Sequence, residues 1–461
     1  MPVIRRMIKL GATGDLTFRY LLPALARLLE AGSLPDGFEV HGLGRNDQDT
    51  EAFRYSAEER LAEDAPGVPR LAHEKFIKTL HYHRADVTDP GQVKAALRGS
   101  GEPVVAYLAL PPALFAPAIE ALKGAGLPEG SKIVVEKPFG EDLESAKELN
   151  RLLHESFPEE AVFRVDHFLG LQTVQNILGL RFANHVFEPL WNRDHIDRVE
   201  IVWDETLSLE GRVGYYDRAG ALKDMVQNHL LQLLCLVGME PPVTLGERDL
   251  RDRKMDVLRA VRRLSPEEVE RGTVRARYAA GRIDDREVPA YVDEEGVNRK
   301  RATETFAQIT LFVDNWRWSG VPFVLRSGKA LAQDRSQISL RFKTVPHLAF
   351  GQETEPEPNV LRLLLNPDRI VLSTNINGPG DPFGLEHTEL RTELAPQELP
   401  AYGRLLLAVL ESDPTLAIRA DEAEASWRIV EPILEAWEKG RVPLLGYPAG
   451  SEGPAIPEVR R

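Results

Sequence analysis

The chain has 461 residues, 43% of them hydrophobic and 28% charged, which excludes a mainly disordered protein and predicts a sizeable core. At roughly 100–200 residues per domain the length implies roughly two to four domains. Lys and Arg number 57 against 71 Asp and Glu, a formal charge of −14, so a basic footprint for nucleic acid is not expected. A single cysteine, Cys235, excludes an intrachain disulfide and a multi-cysteine zinc site and suits a reducing cytosol. The apolar stretch in Met1–Leu10 is too short for a signal peptide, and no run approaches ~18 uninterrupted apolar residues. A soluble cytoplasmic protein that does not enter membranes is expected.

To about residue 165, short β-rich runs alternate with helical patterns. Val3–Leu10 is apolar but broken by Arg5, Arg6 and Lys9; a Gly-bearing turn follows, then Tyr20–Glu30 with leucines at helical spacing. Phe38–Gly42, Val104–Leu110 and Lys132–Val135 read as further strands, the last two each followed by a Pro-bearing turn and a helical segment. This alternation predicts a parallel sheet covered by helices, and the near-continuous apolar runs suit strands buried on both faces.

Beyond residue 165 the pattern changes. Asp197–Asp204, Thr305–Asp314, Gln337–Lys343 and Val360–Thr374 read as longer strands, separated by the charged or Gly/Pro-rich stretches 284–300, 351–359 and 377–386. Helical patterns occupy Ala221–Val237, Tyr402–Leu410 and Asp421–Trp437, and Gly446–Arg461 reads as an irregular or frayed end. The fold class expected is α/β plus α+β: a Rossmann-like domain over 1–165 and a larger α+β domain with a mainly antiparallel sheet over 166–461.

Gly11-Ala12-Thr13-Gly14-Asp15-Leu16 follows the first strand and opens the first helix, the place for a phosphate-binding turn. The G-x-x-G spacing also suits a plain strand–helix turn. The second strand ends without an acid to hold ribose hydroxyls and carries Arg45 instead, which suits a 2′-phosphate and points to NADP over NAD.

Asp166 and His167 sit side by side after a strand, while Asp224 and His229 share an amphipathic segment. A carboxylate near an imidazole fixes its tautomer and makes a general base near neutral pH; either histidine also suits a hydrogen-bonded core position. His81-Tyr82-His83 is a possible metal pair with no third ligand evident and reads as surface strand, so no metal is expected. Trp316 and Trp318 read as core or interface aromatics.

The blocks Gly-Ala-Thr-Gly-Asp-Leu (11–16), Tyr-Leu-Ala-Leu-Pro-Pro (107–112), Glu-Lys-Pro-Phe-Gly (136–140) and Arg-Val-Asp-His-Phe-Leu-Gly (164–170) occur in that order. Asn-His-Leu-Leu-Gln (228–232), Asp-Asn-Trp-Arg-Trp-Ser-Gly-Val-Pro-Phe (314–323), Leu-Arg-Ser-Gly-Lys (325–329) and Tyr-Pro-Ala-Gly-Ser (447–451) continue the series. Together they closely resemble the glucose-6-phosphate dehydrogenase family over nearly the whole chain. The resemblance implies oxidation of the C1 hydroxyl of an aldopyranose, by family default glucose 6-phosphate, to the 1,5-lactone, with hydride passing to NADP. It implies His229 as general base, Asp166 as its charge partner, and Lys137 between cofactor and sugar. It places Glu205, Asp224 and Lys329 on sugar hydroxyls and His167 on the 6-phosphate. Gly11, Thr13, Gly14, Asp15, Leu16, Arg45, Tyr107, Lys137 and Arg326 would hold NADP. It further implies a homodimer, or a dimer of dimers, assembled through the broad sheet.

The departures from the family pattern cluster at one subsite. Where the family carries Asp-His-Tyr-Leu-Gly-Lys-Glu this chain has Asp166-His167-Phe168-Leu169-Gly170-Leu171-Gln172, and the basic residue expected five positions after Lys329 is Asp334, beside Arg335. The family's sugar-contacting Gln aligns with Glu357, and the basic run after Gly-Asp-Leu is thinned to Thr17-Phe18-Arg19-Tyr20. Losing two hydrogen bonds to a charged group removes ~3–6 kcal/mol, roughly 10²–10⁴ in affinity. Two substrate readings therefore stand: glucose 6-phosphate through a rearranged pocket, and an unphosphorylated or amino sugar. A non-catalytic NADP-binding paralogue is the third reading, opposed by the joint presence of Lys137, Asp166 and His229.

Overall fold

The computed structural model describes residues 3–97, 101–209, 213–350, 356–380, 384–395 and 397–456. They form two compact units. The first takes 1–171 and, from later in the chain, 243–251 and 397–424; the second takes 172–242, 252–396 and the chain from 425 onward.

The first unit is built on β1 (Arg6–Leu10), β2 (Glu39–Gly44), β3 (Leu80–Arg84), β4 (Val104–Leu108), β5 (Lys132–Glu136) and β6 (Val162–Val165). They lie in the order β3-β2-β1-β4-β5-β6, all parallel, and Ala417–Ile418 adds a short antiparallel strand outside β6. Every residue of β4 is buried, as its unbroken apolar run predicts for a strand covered on both faces. β1 is flanked by β2 on one side and β4 on the other, so the strand order reverses there. Ligands of open α/β sheets bind beyond the carboxyl ends of the strands at such a reversal, and the Gly11 turn follows β1 at that point.

The second unit carries β7 (Ile196–Asp204), β8 (Thr273–Ala279), a hairpin of β9 (Gly281–Ile283) and β10 (Arg286–Val288), then β11 (Phe306–Phe312), β12 (Pro322–Gly328) and β13 (Arg335–Phe342). β14 (Val360–Leu365), β15 (Asp368–Asn377) and β16 (Leu385–Glu393) follow. The large sheet runs β16-β15-β14-β13-β7-β12-β11-β8 and ends on Leu444–Pro448. β7 with β12 and β8 with Leu444–Pro448 pair parallel; the other neighbours are antiparallel. Because side chains alternate between faces, Val199 and Ile201 of β7 and Phe323 and Leu325 of β12 point into the core. Arg198, Glu200 and Val324 point to the other face. The segment Leu222–Leu230 packs against β7, β11 and β12.

Four expectations need correction. Val360–Thr374 is not one strand but β14 and β15, because Asn366-Pro367 turns the chain back. The charged stretch 284–300 contributes to the β9–β10 hairpin. The helical pattern Ala221–Val237 is two segments: Leu222–Leu230 bonds in the π pattern and Leu231–Gly238 is α-helical. Part of the expected irregular end is the edge strand Leu444–Pro448; residues 457–461 lie outside the described residues. Trp318 is a core aromatic whose indole N–H donates to the Gly238 carbonyl at 2.7 Å, whereas Trp316 is exposed.

Candidate active site

In the first unit the turn after β1 is shaped for close approach. Gly11 has φ +79°, and a Cβ there would lie 2.5 Å from the Ala109 carbonyl oxygen, so only glycine fits. The Gly11 and Ala12 amides both donate to the Leu43 carbonyl at 3.0 Å, tying the turn to the end of β2. Gly42 makes this possible, since a Cβ there would meet Ala12 Cβ at 2.7 Å. Asp15 and Leu16 begin the helix that continues through Thr17–Leu21 and Leu22–Glu30. Thr13 Oγ1 donates to Asn46 Oδ1 at 3.2 Å, which joins the turn to the exposed loop bearing Arg45.

Beneath the turn, Lys9 is buried and its ammonium donates to the carbonyls of Leu10 and Gly11 at 3.0 and 3.2 Å. Burial lowers its pKa to about 7, against the pull of Glu136. Tyr107, expected on the cofactor, is buried and donates its hydroxyl to Glu136 Oε1 at 2.5 Å. Burial raises the Glu136 carboxyl to about 7. Glu136 immediately precedes Lys137, so Tyr107 fixes the strand end that presents Lys137. Asp166 follows β6 and its Oδ1 accepts from the Phe168 amide at 3.0 Å. His167 stacks on Tyr402, with centroids 5.4 Å apart and planes at 11°, and Tyr402 in turn meets Tyr20 at 5.5 Å. Lys9, Asn46 and Tyr402 are not legible as site residues: Asn46 and Tyr402 lie far in sequence from the blocks they support, and Lys9 reads as an interruption of an apolar strand.

In the second unit Glu205 and Lys329 follow the aligned ends of the parallel pair β7 and β12. The Lys329 ammonium donates to Glu205 Oε2 at 2.6 Å and lies 5.4 Å from the centre of the buried Tyr216 ring. The Tyr447 hydroxyl donates to the Lys329 carbonyl at 2.6 Å. Asp224 and His229 are both buried in Leu222–Leu230. Five residues apart in an α-helix they would diverge by about 140°. The i→i+5 pattern brings such residues toward one face, and single π turns concentrate at functional sites. The helix entry is built around Glu304. Its Oε1 accepts from the Leu222 amide at 3.0 Å, and the Ala221 amide donates to its carbonyl at 3.2 Å. Gly220, at φ +65°, leaves room for that carboxylate, which a Cβ would meet at 2.3 Å. Burial raises the Glu304 carboxyl to about 7.

Arg326, expected on NADP, lies on β12 of the second unit. Strand alternation puts it on the face of β12 opposite to Phe323, Leu325 and Lys329. There its Nε donates to the buried Asp204 at 3.0 Å and its Nη2 to the Glu452 carbonyl at 3.0 Å. Arg335 donates to the same Asp204 carboxylate at 2.8 Å. Burial raises the Asp204 carboxyl, and the two guanidinium groups oppose that rise. Asp334 Oδ1 accepts from the amide and hydroxyl of Thr206 at 2.6 and 3.0 Å, so it caps the turn after β7. The histidine pair of β3 also differs from expectation, since Glu39 and His41 of β2 stand beside it.

Comparison with known proteins decides the family. The model of the glucose-6-phosphate dehydrogenase NAD binding domain matches residues 8–176, and that of the C-terminal domain matches 178–459. The chain belongs to the glucose-6-phosphate dehydrogenase family.

Among curated relatives, the glucose-6-phosphate 1-dehydrogenase of Zymomonas mobilis is 41% identical, covering 98% of this chain and 96% of that one. The enzyme of Bacillus subtilis is 38% identical, covering 96% and 94%. A glucose-6-phosphate dehydrogenase solved in complex with its substrate glucose 6-phosphate superimposes with a TM-score of 0.88 at 32% identity, covering 98% of this chain and 96% of that one. As a glucose-6-phosphate dehydrogenase family member the chain is an NADP-dependent oxidoreductase acting on a sugar CH–OH group. Among the described residues no helix is long and apolar enough to cross a membrane.

Proposed function

We propose that this protein oxidises the C1 hydroxyl of glucose 6-phosphate to the 1,5-lactone, using NADP. The observation that carries the proposal is the second unit's group of Asp224 and His229 on one π-helical segment, beside the Glu205–Lys329 pair on the sheet that segment packs against. This is a base, two acids and a cation suited to a polyhydroxyl ring. His229 takes the C1-hydroxyl proton, while Glu205, Asp224 and Lys329 bind ring hydroxyls. On the family pattern Asp166 is the charge partner of that base, Lys137 stands between cofactor and sugar, and His167 binds the 6-phosphate.

The Gly11 turn fits a pyrophosphate, because only the absence of a Cβ lets the backbone take that shape. Gly11, Thr13, Gly14, Asp15 and Leu16 hold the diphosphate, and Arg45 holds the 2′-phosphate. Bound NADP supplies the hydride acceptor. Tyr107 acts through Glu136 and is a positioning residue. The protein is assigned as a cytoplasmic homodimer joined through the open face of the large sheet, where Arg198, Glu200, Gln337 and Arg341 line a broad depression.

One observation favours the second substrate reading, an unphosphorylated or amino sugar. Of the cations that could replace the family's lost basic residue, Arg335 is committed to Asp204, which leaves Arg19, and Asp334 is held by Thr206. A panel of glucose 6-phosphate, glucose and glucosamine with NADP separates the readings. The highest kcat/KM on glucose 6-phosphate supports the main proposal, and a higher value on either free sugar establishes the second. NADPH binding without turnover of any sugar would overturn both and leave a binding protein.

A further inference from the structure

The edge of the first unit's sheet carries a cluster that the dehydrogenase reaction does not use. Register pairs His41 of β2 directly with His81 of β3, and Glu39 and His83 lie two residues away on the same strands. With a side-chain period of two, all four project from one face. Tyr82, between the histidines, points the other way and meets Phe53 of the helix Thr50–Asp64.

The side chains converge. His41 Nε2 is 3.1 Å from Glu39 Oε2, and His81 Nε2 is 3.8 Å from Glu39 Oε1. One ligand atom from each of Glu39, His41 and His81 lies within 4.8 Å of the others. Zinc holds nitrogen and oxygen ligands at ~2.0–2.2 Å, which sets them roughly 3.3 Å apart in a tetrahedron, so the rings need move little. The other nitrogen of the central ring, His41 Nδ1, is 2.9 Å from His83 Nε2. When an ion takes Nε2 in place of the proton shared with Glu39, Nδ1–H donates to His83, the outer hydrogen bond that orients a ligating imidazole. Arg6 contacts Glu39 Oε2 at 3.3 Å and leaves Oε1 toward His81. Glu39 and His81 are partly exposed, so an ion can enter from solvent.

We propose that Glu39, His41 and His81 bind a first-row divalent metal ion, Zn²⁺ foremost, with His83 orienting His41. Two imidazoles and a carboxylate suit this class, Cu²⁺ and Ni²⁺ included, and three protein ligands leave a fourth position for water. The ion braces the edge strand β3 against β2, which leads into Arg45.

The test uses the full chain, freed of metal with a chelator and dialysed. Co²⁺ serves as the optical probe and Zn²⁺ as the competitor, with stoichiometry from calorimetry. Wild type should bind one more equivalent per chain than His81→Ala, with a visible Co²⁺ band that Zn²⁺ abolishes. Saturating Zn²⁺ should raise the melting temperature of wild type but not of His81→Ala. His83→Ala should bind about 10–100-fold more weakly. Glu39→Gln, also at the surface, gives a second variant with the same expected loss, so the test does not depend on one fold-competent substitution. No uptake by wild type at millimolar Zn²⁺, or the same stoichiometry and affinity in wild type, His81→Ala and Glu39→Gln, would overturn the proposal.

Discussion

Lys329 holds Glu205 at 2.6 Å, the two residues following neighbouring parallel strands whose ends are in register. The pair is mostly buried, and Glu205→Gln keeps one oxygen for the Lys329 ammonium, so the substitution weakens the contact without leaving the cation unpaired. The effect on a bound sugar is set by the charge, because a hydrogen bond to a charged group is worth ~1.5–3 kcal/mol. Glu205→Gln keeps the shape and removes the charge. It should lower kcat/KM about 10- to 100-fold while moving the melting temperature little. Unchanged kcat/KM in steady-state assays would remove Glu205 from the sugar site.

Glu304 sets a pH dependence of stability. Its carboxyl is raised by burial to about 7, against an ordinary value of 4.5. Between those values the folded protein keeps a proton that the unfolded chain has released, so this residue's contribution is full below pH 4.5 and declines as pH rises through about 7. Glu304→Gln keeps an oxygen for the Leu222 amide and abolishes the titration. The stability of wild type relative to Glu304→Gln, from urea midpoints, should therefore fall between pH 5 and pH 7, by on the order of 1 kcal/mol per pH unit. A constant difference would show that the carboxyl does not titrate in this range.

Arg45 lies in the exposed loop after β2, joined to the Gly11 turn through Asn46 and Thr13. Arg45→Ala should raise KM for NADP far more than KM for NAD in parallel saturation curves. Equal increases would mean that the side chain does not meet the 2′-phosphate.

The family pattern, with basic residues where this chain has Leu171 and Asp334, predicts a gain of function. Leu171→Lys with Asp334→Arg should raise kcat/KM for glucose 6-phosphate by up to ~10²–10⁴ if both contacts form. The structure adds a cost, because Asp334→Arg also removes two hydrogen bonds to Thr206; a stability loss of about 1–3 kcal/mol is expected. A double variant with the expected loss of stability and no gain on the phosphate ester would show that phosphate is bound elsewhere.

The parallel sheet of the first unit and the mainly antiparallel second sheet were legible because buried parallel strands and longer, separated strands leave different hydrophobic patterns. What escaped depends on contacts between distant residues. The π-helical bonding of Leu222–Leu230 rests on Glu304, 82 positions away, at its entry. The partners of His81 and His83 come from β2, and the register that aligns His41 with His81 has no local signal. The face of β12 that Arg326 takes follows from pairing with β7 and from Asp204, neither of which has a local signal. Lys9 interrupts an apolar run, and the turn carbonyls of Leu10 and Gly11 together with the distant Glu136 explain it.

The most direct test of the central claim is the kcat for glucose 6-phosphate of wild type and His229→Asn at saturating NADP, followed by NADPH absorbance. A positioned general base contributes ~10²–10⁴-fold. The account predicts that His229→Asn loses that much in kcat while binding NADPH as tightly as wild type. A His229→Asn enzyme with near wild-type kcat would contradict it, since the C1 proton would then leave by another group.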